Sequence, residues 1–476
     1  MNNSTLKKIL AYAYLSAIII VMITLGPWPI FYLAFAFLAL LFILPDNYRL
    51  GFSLALILTM VFERYFTLQG LVVDRDVYKL YLIDIVLLLT ATSLFLNYYF
   101  KKIQLKITWG KPESFFIIWL LIVSAYMLRA IFDINADFAV AFSSFKNYLF
   151  YPLIYFLVLL IVKNRQTLKY FYHLIIITGA GLIAFLLIGL ARGGGLWTEF
   201  TPLSTAGVRY LAGTHAFYMV LASLMAISLL LYKRLQPTTF ALMIIAFWFF
   251  GLTVSLMRHL WLALAIGLLT IFVLVENNLK QYSLKLALKT SLLLISSLFS
   301  ILLLVNLFYF NGSFGGISEF VQNTSERAFS LFDLSEDSSA SWRQELWYDA
   351  KNLWEKNPLW GIGFGRTILI DNADWQNFEE VRNIHNSPLA ITVQMGLLGI
   401  FVFGILILSI ILASAKNIFK DEDLRPYYIG LVASLIAFIA SSLWQPYLET
   451  NLMGLWFWLL LGLMRSAGLI AEKTNQ

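Results

Sequence analysis

The sequence predicts an all-α polytopic membrane protein of about 12–14 transmembrane helices with one long outer loop that contains short amphipathic helices. Three observations lead to this fold class. The composition is 60% hydrophobic and 13% charged, unlike that of an average soluble protein. Apolar runs of roughly 20 residues, the length that crosses a bilayer, recur along the chain. One long polar stretch, between Phe310 and Asn386, interrupts them.

The apolar runs define about fourteen spans. They lie near residues 9–25, 29–45, 50–66, 79–98, 114–132, 147–162, 170–191, 213–232, 238–256, 259–275, 284–309, 387–414, 427–444 and 450–468. The predicted organisation is a first set of transmembrane helices in residues 1–310, a large periplasmic or otherwise extracytoplasmic loop in 311–386, and the last transmembrane helices with a cytoplasmic C-terminus in 387–476. Lys7 and Lys8 precede the first apolar run without a small-residue cleavage site, which predicts an uncleaved first span.

The distribution of basic residues predicts the orientation. With the N-terminus inside, the short inner segments hold most of the Lys and Arg side chains, and the short outer loops hold far fewer. Cytoplasmic loops carry such an excess. We therefore expect both termini in the cytoplasm and the long loop outside. The formal charge of +7 is explained by these loops, without a nucleic-acid partner.

Several kinds of chemistry are absent from the sequence. There are no cysteines, which excludes disulfides and thiol catalysis. No histidine and carboxylate cluster has metal-ligand spacing, and no P-loop or Gly-x-Ser-x-Gly sequence occurs. The sequence therefore predicts a mechanism without metal or cofactor, in which arginines stabilise charge.

Within the long loop, residues 341–355 show the periodicity of a helix. Trp342, Leu346, Trp347 and further apolar residues recur on one face. Ser341 with Gln344 matches a capping box, and Asn357-Pro358 predicts the end. The tryptophan-rich face suits either the membrane interface or packing on protein.

Arg343 is predicted in the first turn of that helix, where unpaired N–H groups and a guanidinium suit a phosphate or diphosphate. The alternative is a structural ion pair with Glu345 or another carboxylate of the loop. The segment Gly361-Ile-Gly363-Phe-Gly365 that follows is a weak signal for a phosphate cradle and a better one for a tight turn.

His385 is predicted at the outer boundary of the span that begins near residue 387. An imidazole is suited to moving a proton near neutral pH, and Asn386 is placed to orient the ring or a substrate hydroxyl. A purely structural histidine is the alternative.

Arg258 follows an apolar run, where a charge must be paired, face a polar cavity or snorkel to the interface. Arg209, in the predicted outer loop 192–214, is a candidate of the same kind.

Four pieces of the second half of the chain, in order, resemble the O-antigen ligase/O-antigen polymerase superfamily of bacterial membrane glycosyltransferases. They are Gly207-Val-Arg209 with Gly213-Thr214; Arg258 after Ser255; Arg343 with Trp347 and then Asn357-Pro358-Leu-Trp-Gly361-Ile-Gly363; and His385-Asn386, nine residues, then Gly396-x-x-Gly399. The last piece is the most specific. The Ser-Leu-Met-Arg segment departs from the more usual Ser-Arg pair.

This resemblance implies a multi-pass protein of the bacterial inner membrane that transfers a glycan from an undecaprenyl diphosphate carrier to an acceptor hydroxyl on the outer face. His385, Arg343 and Arg258 would be catalytic, with the arginines on the diphosphate. Arg209, Asn386 and Glu449 would help to bind substrate. The acceptor is lipid A–core for an O-antigen ligase and a second lipid-linked glycan for a polymerase, with a protein-glycosylating relative as a third option.

Two other classes of function remain open from the sequence. A polysaccharide or lipid transporter would place its charges and broken helices near the bilayer midplane, whereas the unusual charges here gather at one outer boundary. A non-catalytic assembly protein would tolerate His385→Ala without loss of function.

Overall fold

The computed structural model describes residues 47–61, 71–73, 76–78, 81–192, 211–282, 285, 338–369, 380–381 and 383–474. The predicted spans 9–25, 29–45 and 284–309 lie outside these residues, as does Arg209. Every predicted span inside them overlaps a helix, which confirms the all-α polytopic class. Among the described residues, 8 helices are long and apolar enough to cross a membrane, and three shorter apolar helices accompany them.

The chain divides into two compact units, residues 1–106 with 177–179 and residues 107–176 with 180–476. In the first unit, α1 (Tyr48–Val61) packs against α2 (Leu82–Tyr99), and a short antiparallel hairpin joins β1 (Leu71–Val73) to β2 (Asp76–Tyr78). The Asp84 carboxylate accepts a hydrogen bond from the Tyr81 backbone N–H at 2.9 Å and so caps α2.

The second unit contains the other elements. They are α3 (Lys111–Phe132), α4 (Phe138–Phe145), α5 (Ile154–Ile161), α6 (Arg165–Arg192), α7 (Gly213–Leu231), α8 (Thr238–Val254), α9 (Arg258–Leu274), α10 (Ser338–Glu355), α11 (Ser387–Ile418), α12 (Arg425–Ser442) and α13 (Asn451–Thr474), with β3 (Ile368–Leu369) and β4 (Glu380–Val381) as a second antiparallel pair. The most enclosed helices are α7, α12 and α13, and α12 packs on both α7 and α9.

A π-helical turn, Lys146–Phe150, and a 3-10 turn, Tyr151–Leu153, join α4 to α5, so one interrupted helix fills the place of a predicted span. Lys146 is buried within the π turn. Such turns are rare and occur often at functional sites.

Ion pairs define one end of the second unit. Arg465 of α13 binds Glu113 of α3 through Nε at 2.9 Å, and both side chains are buried. Arg165, at the start of α6, pairs with Asp421 at 2.6 Å and with Asp423 at 3.1 Å. Because α11 runs from Ser387 to Ile418, His385 and α10 lie at the opposite end of this unit.

Helix α11 is broken at Gly396, whose backbone has φ 66° and ψ −168°. A Cβ at Gly396 would lie 2.1 Å from the Leu359 carbonyl oxygen, so the break requires glycine. Each side of the break is satisfied by the segment that leaves α10. The N–H groups of Ile362 and Gly363 donate to the Val393 and Gln394 carbonyls at 2.8 and 2.9 Å, and Leu397 N–H donates to the Pro358 carbonyl at 2.9 Å.

The segment Gly361–Gly365 thus seals a broken helix. Gly361, Gly363 and Gly365 all have positive φ, between 62° and 89°. Arg129 Nη1 donates to the Trp360 carbonyl at 3.0 Å and Tyr126 Oη donates to the Met395 carbonyl at 2.8 Å, which fastens α3 to the same place. The run is a tight turn, as expected, and the N–H groups of Gly361, Ile362 and Gly363 all donate to carbonyls within the protein, which speaks against their use as a phosphate cradle.

Candidate functional site

Helix α10 supports the site, and its apolar face packs on protein. Leu346 and Ala350 are buried with Ile362, Ile384 and Val393. Trp347 Nε1 donates to the Ile384 carbonyl at 2.8 Å, which ties the helix to the residue before His385. Of the two uses predicted for the tryptophan-rich face, the structure therefore shows packing on protein.

The start of α10 differs from the prediction. The helix begins at Ser338, before Ser341, because Ser338-Ser339-Ala340 continue it and contain no β-branched residue or proline that would oppose a helix. Ser341 is consequently not the N-cap, and Arg343 lies in the second turn. The argument that unpaired N–H groups of the first turn assist Arg343 is therefore wrong, and the guanidinium alone remains for an anion.

His385 and Arg343 lie close enough to interact electrostatically, and both side chains are half-buried. Burial and then the neighbouring Arg343 charge lower the pKa of His385 to about 4, against a hydrogen bond with the Gln445 side chain that raises it. Burial also lowers the pKa of Arg343. At neutral pH the imidazole is therefore uncharged beside a guanidinium, whose ordinary pKa is far above 7.

The His385 ring is held from two sides. Trp342 packs edge-to-face against it, with ring centroids 5.2 Å apart and planes at 80°. The His385 backbone has φ 54°, an unusual conformation for a residue with a side chain. Its Nδ1 atom is buried and has no hydrogen-bond partner in the part of the chain that the structure describes. Strained backbone and unsatisfied buried nitrogens are features of binding and catalytic sites.

Asn386 is the N-cap of α11. Its Oδ1 accepts a hydrogen bond from the Leu389 N–H at 3.0 Å. This cap explains why an asparagine stands at the start of the span. The side-chain nitrogen Nδ2 remains as the group of Asn386 that could donate to a substrate. Ser387 is fully buried and accepts a hydrogen bond from Leu448 N–H at 3.1 Å, which fixes α11 to the turn between α12 and α13.

The other candidates within the described residues, Arg258 and Glu449, lie near or in that turn, residues 443–450. Tyr447 Oη and His259 Nε2 are 3.0 Å apart, so the first turn of α9, which carries Arg258, reaches the turn that carries Gln445. Glu449 lies farther along it, where its Oε1 accepts a hydrogen bond from Gln394 Nε2 at 3.1 Å. The structure thus places His385 beside Arg343, with Arg258 and Glu449 at the same end.

Gln445 and Lys146, which were not predicted as site residues, belong to this region, as does Trp342, which was predicted only as part of an apolar helix face. Gln445 hydrogen-bonds His385, and Trp342 contacts its ring. Lys146 is a buried cation whose neighbour Asn147 donates to the Glu449 carbonyl. The available signal for Lys146 was a lysine directly before the predicted span 147–162. Gln445 had no signal, because its role depends on a long-range contact.

These features define a multi-pass helical membrane protein with a histidine and arginine site at one end of its helices. Residues 240–404 match the family described as O-Antigen ligase, a segment that includes Arg258, Arg343 and His385. The match confirms the resemblance to the O-antigen ligase and polymerase superfamily. It supports a bacterial membrane enzyme of glycosyltransferase type that acts on lipid-linked glycans in O-antigen processing. No curated protein matches the chain.

Proposed function

We propose that this protein transfers a glycan from undecaprenyl diphosphate to an acceptor hydroxyl at the outer face of the bacterial inner membrane, and that it is an O-antigen ligase joining polysaccharide to lipid A–core. One observation carries the proposal. An uncharged His385, with a buried and unpartnered Nδ1, lies beside the Arg343 guanidinium. A base and a cation in such proximity match the two needs of the reaction, which are to accept a proton and to stabilise a diphosphate.

The bond changes follow from that pairing. The acceptor hydroxyl oxygen forms a bond to the anomeric carbon of the donor sugar while the bond from that carbon to the diphosphate oxygen breaks. The hydroxyl proton moves to His385 Nδ1, and the bonding electrons leave with undecaprenyl diphosphate. Arg343 and Arg258 balance the charge that grows on the leaving group.

Donor binding should also increase the basicity of His385. Burial and the Arg343 charge depress its pKa. A diphosphate at Arg343 offsets the guanidinium charge, and an adjacent anion favours the protonated imidazole. The base therefore gains strength when the leaving group is in place, which discourages proton abstraction before the donor has bound.

The break in α11 is the feature that would favour a transporter, because transporters use broken helices to bind substrate at the midplane. Here the freed carbonyls of Val393 and Gln394 accept hydrogen bonds from Ile362 and Gly363. These backbone carbonyls are therefore already hydrogen-bonded within the protein and do not face a substrate. This favours a structural joint and a transferase over a transport site.

The test is complementation of a strain that lacks the gene with His385→Ala and Arg343→Ala. Surface and carrier-linked polysaccharide are resolved on gels, and membrane levels of each variant are measured. Arg366→Ala, an exposed arginine of the same loop, and His173→Ala, at the opposite end of the unit, are the matched controls.

We expect both site variants to lose attachment, with long glycan accumulating on the prenyl carrier, and both controls to behave as wild type. Single repeat units without long polymer would instead identify a polymerase. Normal surface glycan from both site variants at normal membrane levels would overturn the catalytic assignment and favour transport.

A further inference from the structure

Trp342 has a second unpartnered hydrogen-bonding group next to His385. Its indole Nε1 is buried and, like His385 Nδ1, has no hydrogen-bond partner among the residues that the structure describes. The two other tryptophans on this face of α10 differ. Trp347 Nε1 donates to the Ile384 carbonyl at 2.8 Å and Trp354 Nε1 donates to the Pro358 carbonyl at 3.0 Å.

The unpartnered nitrogens belong to rings in direct contact. The Trp342 and His385 centroids are 5.2 Å apart. The contact is well supported, because α10 is anchored to Ile384, the residue before His385.

The chemistry of the two nitrogens is complementary. An indole N–H only donates, whereas the nitrogen of a neutral imidazole that carries no proton accepts. Since Nδ1 has no partner, the hydrogen bond with the Gln445 side chain falls to Nε2, and a neutral ring that donates there leaves Nδ1 as the acceptor. A hydroxyl is the group that satisfies both nitrogens, since its oxygen accepts from the indole while its proton points to Nδ1. A phosphate oxygen would satisfy only the indole.

We propose that the Trp342 Nε1–H hydrogen-bonds the oxygen of the acceptor hydroxyl whose proton passes to His385 Nδ1, so that Trp342 orients the acceptor for attack. This inference rests on the proposed glycan transfer and assigns a residue to the acceptor half of the site. The arginines serve the donor half. A buried donor left unsatisfied destabilises a folded chain, and a bound acceptor hydroxyl would satisfy the Trp342 N–H.

The experiment measures steady-state transfer by the purified full chain, with undecaprenyl-diphosphate-linked glycan as donor. Lipid A–core is the acceptor, and a lipid-linked single repeat unit replaces it in a parallel series. Trp342→Phe keeps an aromatic ring and removes the N–H. A variant with 3-benzothienylalanine at position 342 keeps the size of indole, and it decides the outcome if Trp342→Phe does not accumulate.

We expect either Trp342 replacement to lower kcat/KM for the acceptor about tenfold while the KM for the donor stays within about twofold. The thermal stability of the unliganded protein should not fall with the benzothienyl side chain, because no protein hydrogen bond is lost. The same replacement at Trp347 should lower stability, because its bond to the Ile384 carbonyl is lost.

Unchanged acceptor kinetics, or a rise in donor KM instead, would overturn the inference. His385→Gln is measured alongside to separate the two proposals. An active His385→Gln protein defeats the proposed function itself, whereas an inactive one beside fully active Trp342 variants defeats only the role of Trp342.

Discussion

At the scale of single residues, His385 is defined by its neighbours more than by its identity. An exposed imidazole titrates near 6.5, but burial and Arg343 lower the pKa of this one to about 4. Trp342 and Gln445 fix the ring from two directions. His385 and Arg343 are both predicted from the sequence as candidates, and the structure shows that they are close enough for the Arg343 charge to lower the pKa of His385. Asn386 was predicted to contact substrate, but its side-chain oxygen Oδ1 caps the start of α11.

The depressed pKa predicts a specific pH dependence of transfer. A group whose pKa lies near 4 stays uncharged above about pH 5, so kcat/KM for the donor, which reports the enzyme before the donor binds, should show no inflection near 6.5 and should fall only toward pH 4. The acid limb of kcat should lie at higher pH, because bound diphosphate offsets the Arg343 charge.

These profiles are measured with saturating acceptor between about pH 4 and pH 8. Arg343→Gln removes the positive neighbour and should shift the acid limb of its residual activity upward. An inflection of the wild-type kcat/KM near 6.5 would contradict the electrostatic coupling.

At the scale of elements, the break in α11 and the turn that follows α10 form one joint. Gly361 and Gly396 are explained by it, since a side chain at either place would collide with backbone. A Cβ at Gly361 would lie 2.5 Å from the Val393 carbonyl oxygen. The spacing of these glycines is therefore required by the structure. The joint connects α10, the loop helix of the site, to the membrane helices.

Gly396→Ala tests the joint. The substitution places a side chain in a backbone conformation that glycine alone adopts readily and next to the Leu359 carbonyl, so we expect a loss of at least about 2 kcal/mol of stability. Gly404→Ala, in the same helix with nothing within 4 Å of the added Cβ, is the matched control. Thermal unfolding in detergent should show a lower Tm for the first variant and an unchanged or higher one for the second.

Arg129 tests the same joint from α3. Its Nη1 donates to the Trp360 and Gly361 carbonyls at 3.0 and 3.3 Å. Arg129→Met should lower stability by about 1–3 kcal/mol because those bonds to a charged donor are lost. The pH profile of transfer should keep its shape, since His385 is untouched. A shifted acid limb in this variant would show that Arg129 acts on the site itself.

At the scale of the whole molecule, the second unit has two chemically different ends. Paired charges hold one of them, where Arg165 and Lys169 bind Asp421 and Asp423. The other end carries Arg343 and His385. Such a division suits a site that works on one side of a membrane. The placement of the site outside and of both termini in the cytoplasm stays a prediction from the basic residues of the loops.

The chain contains no cysteine, so single cysteines can test this orientation. Lys356→Cys lies after α10 at the site end, and Lys233→Cys lies in the turn after α7; both positions are exposed. In cells with a permeabilised outer membrane, an impermeant maleimide should label Lys356→Cys at once and Lys233→Cys only after the inner membrane is opened. The reverse pattern would invert the predicted topology.

The amino-acid sequence by itself determined the polytopic class, the approximate positions of most of the described helices and the identity of the candidate residues. Hydrophobic runs and the spacing of short motifs are local signals that can be recognised in the sequence alone. Only the tertiary structure decided that α10 packs on protein, that the glycine run seals a broken helix, and that Trp342 and Gln445 flank His385. Those outcomes depend on contacts between residues far apart in the chain, and burial beside Arg343 is what lowers the pKa of His385.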